Sequence, residues 1–281
     1  MIAIVDCNYL CYRCMFGMLG VDLSAGDMET EVIFGFCKQL LSLSSKFPIT
    51  TWTFAWDSRK SFRKQIYPDY KGNRRKDVPP KIMEIMEVAF PQFRQVRSEL
   101  LPMMGFHNNF IQTGVEADDI IAVICDTQKS PVVIISSDND LHQLLTDKIS
   151  MFNLKKLYTK KDFEKEHGIP PKKWGLVKAI AGCSTDNVKG VPGVGVVKAI
   201  KYINGDMPER YKAFKKIEES ETIIERNRHL VVLPFETEYK ITVKQETLKS
   251  FDFIQAFEFY NFRSFLRRKT FQQWETNFKL I

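Results

Sequence analysis

Short apolar runs that each end on a carboxylate constrain this chain most. Ile2-Ala-Ile-Val stops at Asp6, Thr51-Trp-Thr-Phe-Ala-Trp stops at Asp57, and Val132-Val-Ile-Ile-Ser-Ser leads to Asp138 and Asp140. A fourth run, 106–112, is followed by Gly114-Val-Glu116-Ala-Asp118-Asp119, which reads as the opening of a helix. Helical periodicity fills the stretches between: 29–44, 81–89, 92–104 and 117–127. Strands separated by helices imply right-handed crossovers and an α/β fold with a mainly parallel central sheet flanked by helices. Ligands of such sheets bind beyond the carboxyl ends of the strands, so these seven acids are expected to meet in one crevice.

One acid after a strand is an ordinary turn or helix cap. Seven together repel each other unless cations lie between them. Oxygen donors without a His or Cys pair at zinc spacing favour Mg²⁺, with Mn²⁺ as a substitute. Two such ions about 4 Å apart clamp the attacking water and the leaving oxygen of a phosphodiester displacement. The acids therefore predict metal-dependent nuclease chemistry, with a nucleotide-binding or transferase site as the alternative.

Charge placement points to the same substrate. The chain carries a net charge of +7. Between residues 58 and 76, Arg59, Lys60, Arg63, Lys64, Lys71, Arg74, Arg75 and Lys76 face a single acid, Asp69. A focused basic segment suggests an anionic polymer as partner, nucleic acid before membrane. Phe62, Tyr67 and Tyr70 interleave with those charges and offer faces on which unstacked bases can lie. No run approaches the roughly 20 apolar residues of a membrane span. No signal peptide is visible and the six cysteines are expected to be reduced, so a cytoplasmic protein is expected.

From about residue 158 strand patterns fade and lysine-rich helical stretches take over. The expected organisation is a metal-dependent nuclease domain over 1–160 and a helical duplex-binding domain over 161–281. The second half carries Asp186-Asn-Val-Lys-Gly190-Val-Pro-Gly193-Val-Gly195-Val-Val-Lys198. Glycines ahead of a helix let backbone N–H groups face a phosphate, and Lys198 adds charge. The pattern fits a helix-hairpin-helix device gripping duplex backbone without reading bases. Cys7, Cys11 and Cys14 have the C-x3-C-x2-C spacing of an iron–sulfur loop, but on a helix they form one stripe of small apolar residues.

The ordered set of motifs resembles the flap endonuclease or 5′-nuclease family, especially its short stand-alone phage members. It comprises Val5-Asp6-Cys7-Asn8-Tyr9-Leu10, Phe54-Ala55-Trp56-Asp57, Tyr70-Lys71-Gly72-Asn73-Arg74, Gly114–Asp119, Ser136-Ser-Asp138-Asn-Asp140 and the 186–195 hairpin. The resemblance implies a PIN-like 5′-nuclease fold with a helical arch over 58–93 that admits a single-stranded 5′ end. Asp6, Asp57, Glu116, Asp118 and Asp138 would serve a first Mg²⁺ cluster. Asp119, Asp140 and Asp186 would serve a more peripheral ion. Lys71 and Arg74 match the family's active-site basic residues, which reach the scissile phosphate from the arch, and Tyr9 matches a residue that can stack beside the substrate. Arg59, Lys60, Arg63, Lys64, Tyr70, Arg75 and Lys76 would contact the strand. Gly190, Gly193, Gly195 and Lys198 would hold the duplex, with K⁺ as a further ion at the hairpin. Expected partners are branched or flapped DNA, with an RNA–DNA hybrid as a further candidate, bound by a monomer.

One position departs from the family pattern Gly-Asp-x-x-Asp-Asn: here it reads Gly182-Cys183-Ser-Thr-Asp186-Asn187. A thiol is a poor Mg²⁺ ligand, so the peripheral ion is expected to be weakened. Two rival functions follow from the residues: a junction-binding protein of the same fold with decayed chemistry, and an iron–sulfur enzyme built on Cys7, Cys11 and Cys14.

Overall fold

The computed structural model describes residues 1–73, 78–235 and 239–281. Its packing divides the chain into two compact units interleaved in sequence. The first comprises 1–56, 78–110 and 242–281, and the second comprises 57–77 and 111–241. The expected boundary near residue 160 thus falls inside the second unit.

In the first unit the strand Ile2–Asp6 pairs in parallel with Thr51–Ala55, which pairs in parallel with Asn109–Phe110. Every residue of Ile2–Asp6 is buried, as befits an apolar strand covered on both faces. The helix Cys7–Gly17 follows directly and buries Cys7, Cys11 and Cys14 along one side. Burial pushes the Cys11 thiol well up and raises Cys14 to about 12. These thiols are packing groups, and the iron–sulfur alternative has no accessible loop on which to rest. The expected pair of helices over 81–89 and 92–104 is instead one run: Pro80–Gln95, a π-turn over Val96–Leu100, then Leu101–Met103. Pro91 lies inside that run, and the wider turn begins five residues later.

The C-terminal helices Ser250–Phe259 and Arg268–Phe278 belong to this first unit rather than to a separate helical domain. Their aromatic faces explain why. Phe278 stacks on Trp52 at 5.3 Å and Phe253 meets Phe106 at 6.0 Å, so both helices cover the strands. The connecting segment is pinned by Glu246, which accepts from the backbone N–H groups of His107 and Asn108 at 2.6 Å.

In the second unit Val132–Ile135 pairs in parallel with Ile149–Phe152, and Leu157–Tyr158 adds antiparallel. Ala117–Thr127 is the helix expected after Glu116. The remaining helices include Lys160–His167, Trp174–Ala181, Val196–Ile203, Lys212–Glu218 and Glu221–Val231. The expected short helix over 141–145 is a 3-10 turn, Asn139–Leu144, capped by Asp138. No helix among the described residues is long and apolar enough to cross a membrane.

Candidate metal centre

Asp6 closes its strand and caps the next helix, its Oδ1 accepting the Tyr9 N–H at 3.0 Å in the first unit. Tyr9 itself is half-buried there. The other seven acids all belong to the second unit.

There the opening of Ala117–Thr127 gathers three of them by capping. Asp57 Oδ1 accepts the Ala117 N–H at 2.9 Å. Glu116 is the N-cap, and the Asp119 carboxylate returns to the Glu116 N–H at 3.3 Å. Asp118 stands half-buried in the first turn. Unpaired amides and the positive helix end make this a favourable place for negative charge.

Two bases from the basic segment meet these acids, and they differ. Arg63 makes a bidentate pair with Asp119 at 2.6 and 2.7 Å, and its Nε donates to the Leu230 carbonyl at 2.8 Å. Asp119 also accepts the Phe235 N–H at 2.7 Å. Both side chains are buried. Burial opposes the Arg63 charge, yet the Asp119 carboxylate raises its pKa above the ordinary value. Arg63, expected to touch a nucleic-acid strand, is therefore placed inside, as a buried pair with Asp119.

Lys71 reaches Glu116 with a single bond, Nζ to Oε2 at 2.7 Å, and lies 4.0 Å from Asp186 Oδ1. Its backbone has φ of 54°, a left-handed conformation costly for a side-chain-bearing residue. Docking of the 69–73 turn onto the 184–187 turn holds it there. The Lys71 N–H donates to the Asp186 carbonyl, Asn187 Nδ2 to the Asp69 carbonyl, and Asn73 Nδ2 to the Ser184 carbonyl. Burial pushes the Glu116 carboxyl up, but the Lys71 and Arg63 charges prevail and hold it below the ordinary value. Tyr70 was expected to offer its ring to a strand. It is buried instead, its hydroxyl 3.0 Å from Glu116 Oε2 and 3.3 Å from Asp186 Oδ2. Burial and those two carboxylates raise its pKa, so it remains a phenol.

The third group sits at the end of Val132–Ile135. Asp138 accepts the Asp140 N–H at 2.8 Å, and Ser136 Oγ accepts the Asp138 N–H at 3.1 Å. Asp140 is buried, and the Lys178 ammonium bonds its Oδ1. Ligand atoms of Asp140, Cys183 and Asp186 all lie within 4.8 Å of one another. Lys178 is the residue that sequence reasoning missed. It lies one helical turn beyond Trp174 and five residues before Cys183, in a helix with no motif of its own.

Asp57, Glu116, Asp118 and Asp138 offer oxygen donors alone, the donor type that a hard divalent ion of the magnesium kind takes. The Asp140, Cys183 and Asp186 group fits one poorly, because one of its three donors is a thiol.

Among the other expected contacts, Arg59, Lys60 and Lys64 are exposed. Arg74, Arg75 and Lys76 lie outside the described residues. In the hairpin Gly193, Gly195 and Lys198 are exposed, Gly195 capping Val196–Ile203 and Lys198 Nζ donating to the Gly193 carbonyl at 2.8 Å. Gly190 does something else. A Cβ there would stand 2.2 Å from the Ala181 carbonyl carbon, so this glycine permits the backbone of the hairpin to pack on the end of Trp174–Ala181.

The family described as 5′-3′ exonuclease, N-terminal resolvase-like domain, matches residues 1–168. The chain belongs to this family. Among its relatives the 5′-3′ exonuclease of Bacillus subtilis is 33% identical over 71% of this chain and 68% of its own length. The thermostable DNA polymerase I of Thermus thermophilus is 28% identical over 72% of this chain but only 24% of its own length. The T5 D15 protein, co-crystallised with metal ions, superposes with a TM-score of 0.70 and 27% identity, covering 83% of this chain and 89% of that one. Flap endonuclease-1 from Methanococcus jannaschii shares the fold, with a TM-score of 0.60 at 14% identity over 99% of this chain and 92% of that one. This 5′-3′ exonuclease-family chain therefore has the mainly parallel sheet with flanking helices that its sequence implied.

Proposed function

We propose that this chain is a structure-specific 5′ nuclease, hydrolysing phosphodiester bonds at 5′ single-strand/duplex junctions of branched or flapped DNA. Removal of flaps or primers during replication is the matching task, with RNA–DNA hybrid as a further substrate and a monomer as the working unit. The observation that carries the reading is the Lys71 ammonium, held on Glu116 by a docked, left-handed turn, at the helix opening that also carries Asp118 and is bonded by Asp57. A base stored on an acid in this way can turn to a phosphate when one arrives.

Asp57, Glu116, Asp118 and Asp138 would hold Mg²⁺, for which Mn²⁺ can substitute. Bound there, the ion supplies an activated water at neutral pH and neutralises charge on the phosphate. The chain's own residues do the rest. The Tyr70 phenol fixes the orientation of Glu116 by donating to it. Lys71 donates to a non-bridging phosphate oxygen, and Arg74 is its expected companion. The exposed Gly193–Gly195 turn presents backbone amides to the duplex without reading sequence, with K⁺ as a candidate ion there.

Cleavage of a 5′-labelled flap duplex in Mg²⁺, with an EDTA control, tests the reading. Asp138→Ala is expected to abolish cleavage while retaining binding to the same duplex. Parental binding with no cleavage under any divalent ion would instead favour a junction-binding protein.

A further inference from the structure

We propose that the Lys178 ammonium is the resident cation of the Asp140, Cys183 and Asp186 group, taking the place of a second divalent ion there. The inference rests on the nuclease reading of the acid cluster and narrows it: divalent metal is confined to the Asp57, Glu116, Asp118 and Asp138 side.

Three observations carry it. The first is position. Lys178 Nζ bonds Asp140 Oδ1 and lies 3.9 Å from Cys183 Sγ, so the ammonium stands among atoms that lie within 4.8 Å of one another.

The second is rigidity. The Lys178 side chain is 14% exposed, its ammonium 5.9 Å from the Trp174 ring centroid. Trp174 Nε1 donates to the Asn139 carbonyl at 2.8 Å. The helix that carries the lysine is thereby tied to the turn that carries Asp140. The ammonium is delivered by the fold, in contrast to a long surface side chain that reaches an acid by chance.

The third is charge. Cys183 lies against Thr185, Sγ to Oγ1 at 3.0 Å, and an ordinary cysteine thiol is neutral at pH 7. A thiol in place of an acid removes one negative charge, and an ammonium in place of a divalent ion removes one positive charge. The two changes balance, and Asp140 keeps a cation bonded to it. An ammonium also needs no coordination shell of hard oxygens, which this group could not complete. Lys178 is thus a positioning residue: it neutralises Asp140 in the group it shares with Asp186 without metal.

Counting bound Mn²⁺ by electron paramagnetic resonance of the free ion, on the full chain without DNA, tests this. Lys178→Met combined with Cys183→Asp is expected to bind one more Mn²⁺ per chain than the parent. Lys178→Arg keeps the parental count. Should the double variant fail to fold, Lys178→Gln combined with Cys183→Asp takes its place, while Cys183→Asp alone keeps the ammonium and is expected to hold the parental count. Equal counts and affinities in the parent and the folded double variant, or a gained ion in Cys183→Asp alone, overturn the proposal. Because no nucleic acid is present, this outcome is independent of whether the flap assay succeeds.

Discussion

Glu116 and Asp119 stand one helical turn apart at the same helix opening, and each faces a base from the same basic segment. The pairs they form differ in every respect that matters for chemistry. Asp119 and Arg63 meet through two parallel bonds, and each makes a further bond, Asp119 to the Phe235 N–H and Arg63 to the Leu230 carbonyl. Nothing in that arrangement can be released without leaving a buried charge unpaired. Glu116 and Lys71 meet through one bond, with the lysine side chain 16% exposed and its backbone in a strained turn. The comparison teaches that a basic residue beside an acid is structural or functional according to how completely its donors are used.

The largest expected effect lies on the structural side. Arg63→Ala leaves Asp119 buried and unpaired and is expected to cost about 3–5 kcal/mol of stability, read by urea unfolding. A loss within that of a surface substitution would break the comparison. Next comes Lys71→Ala, expected to lower the cleavage rate roughly 10²–10³-fold, as loss of a charge-stabilising donor does. Its effect on unfolding is expected to be small, since the docked turn is held by backbone and Asn contacts.

The smallest effect is a pH dependence. Glu116 is held below the ordinary carboxyl value in the folded chain. Its stabilising contribution is complete above the unfolded value of about 4.3 and is lost as pH falls from there through the lowered folded value. Urea midpoints measured from pH 6 downward are expected to fall less steeply in Glu116→Gln than in the parent. An unchanged slope would mean that the Lys71 contact does not hold the carboxylate ionised.

Much of the frame was legible because it depends on local pattern. Ile2–Asp6, Thr51–Ala55 and Val132–Ile135 are short buried apolar runs, and the acids after them are fixed by chain order alone. The helix opening at Glu116 was legible for the same reason. Arg63 and Tyr70 were not, because a charge run reads as solvated until its partners are known. Those partners come from far along the chain: the Leu230 carbonyl is 167 residues from Arg63, and Asp186 is 116 residues from Tyr70. Gly190 looked like a phosphate-facing glycine, since sequence cannot show that Ala181 occupies the space of its Cβ. The grouping of 242–281 with the first unit rests on long-range aromatic packing such as Trp52 on Phe278, which no periodicity announces. Cys183 was visible as a departure, but the ammonium that accompanies it was not.

The most direct test is single-turnover cleavage of a 5′-labelled flap duplex by the parent and by Lys71→Ala in Mg²⁺, with unfolding measured on the same preparations. The account predicts junction-specific cleavage by the parent that EDTA abolishes, and a variant slowed at least about a hundredfold at near-parental stability. Parental cleavage rates in Lys71→Ala would contradict it.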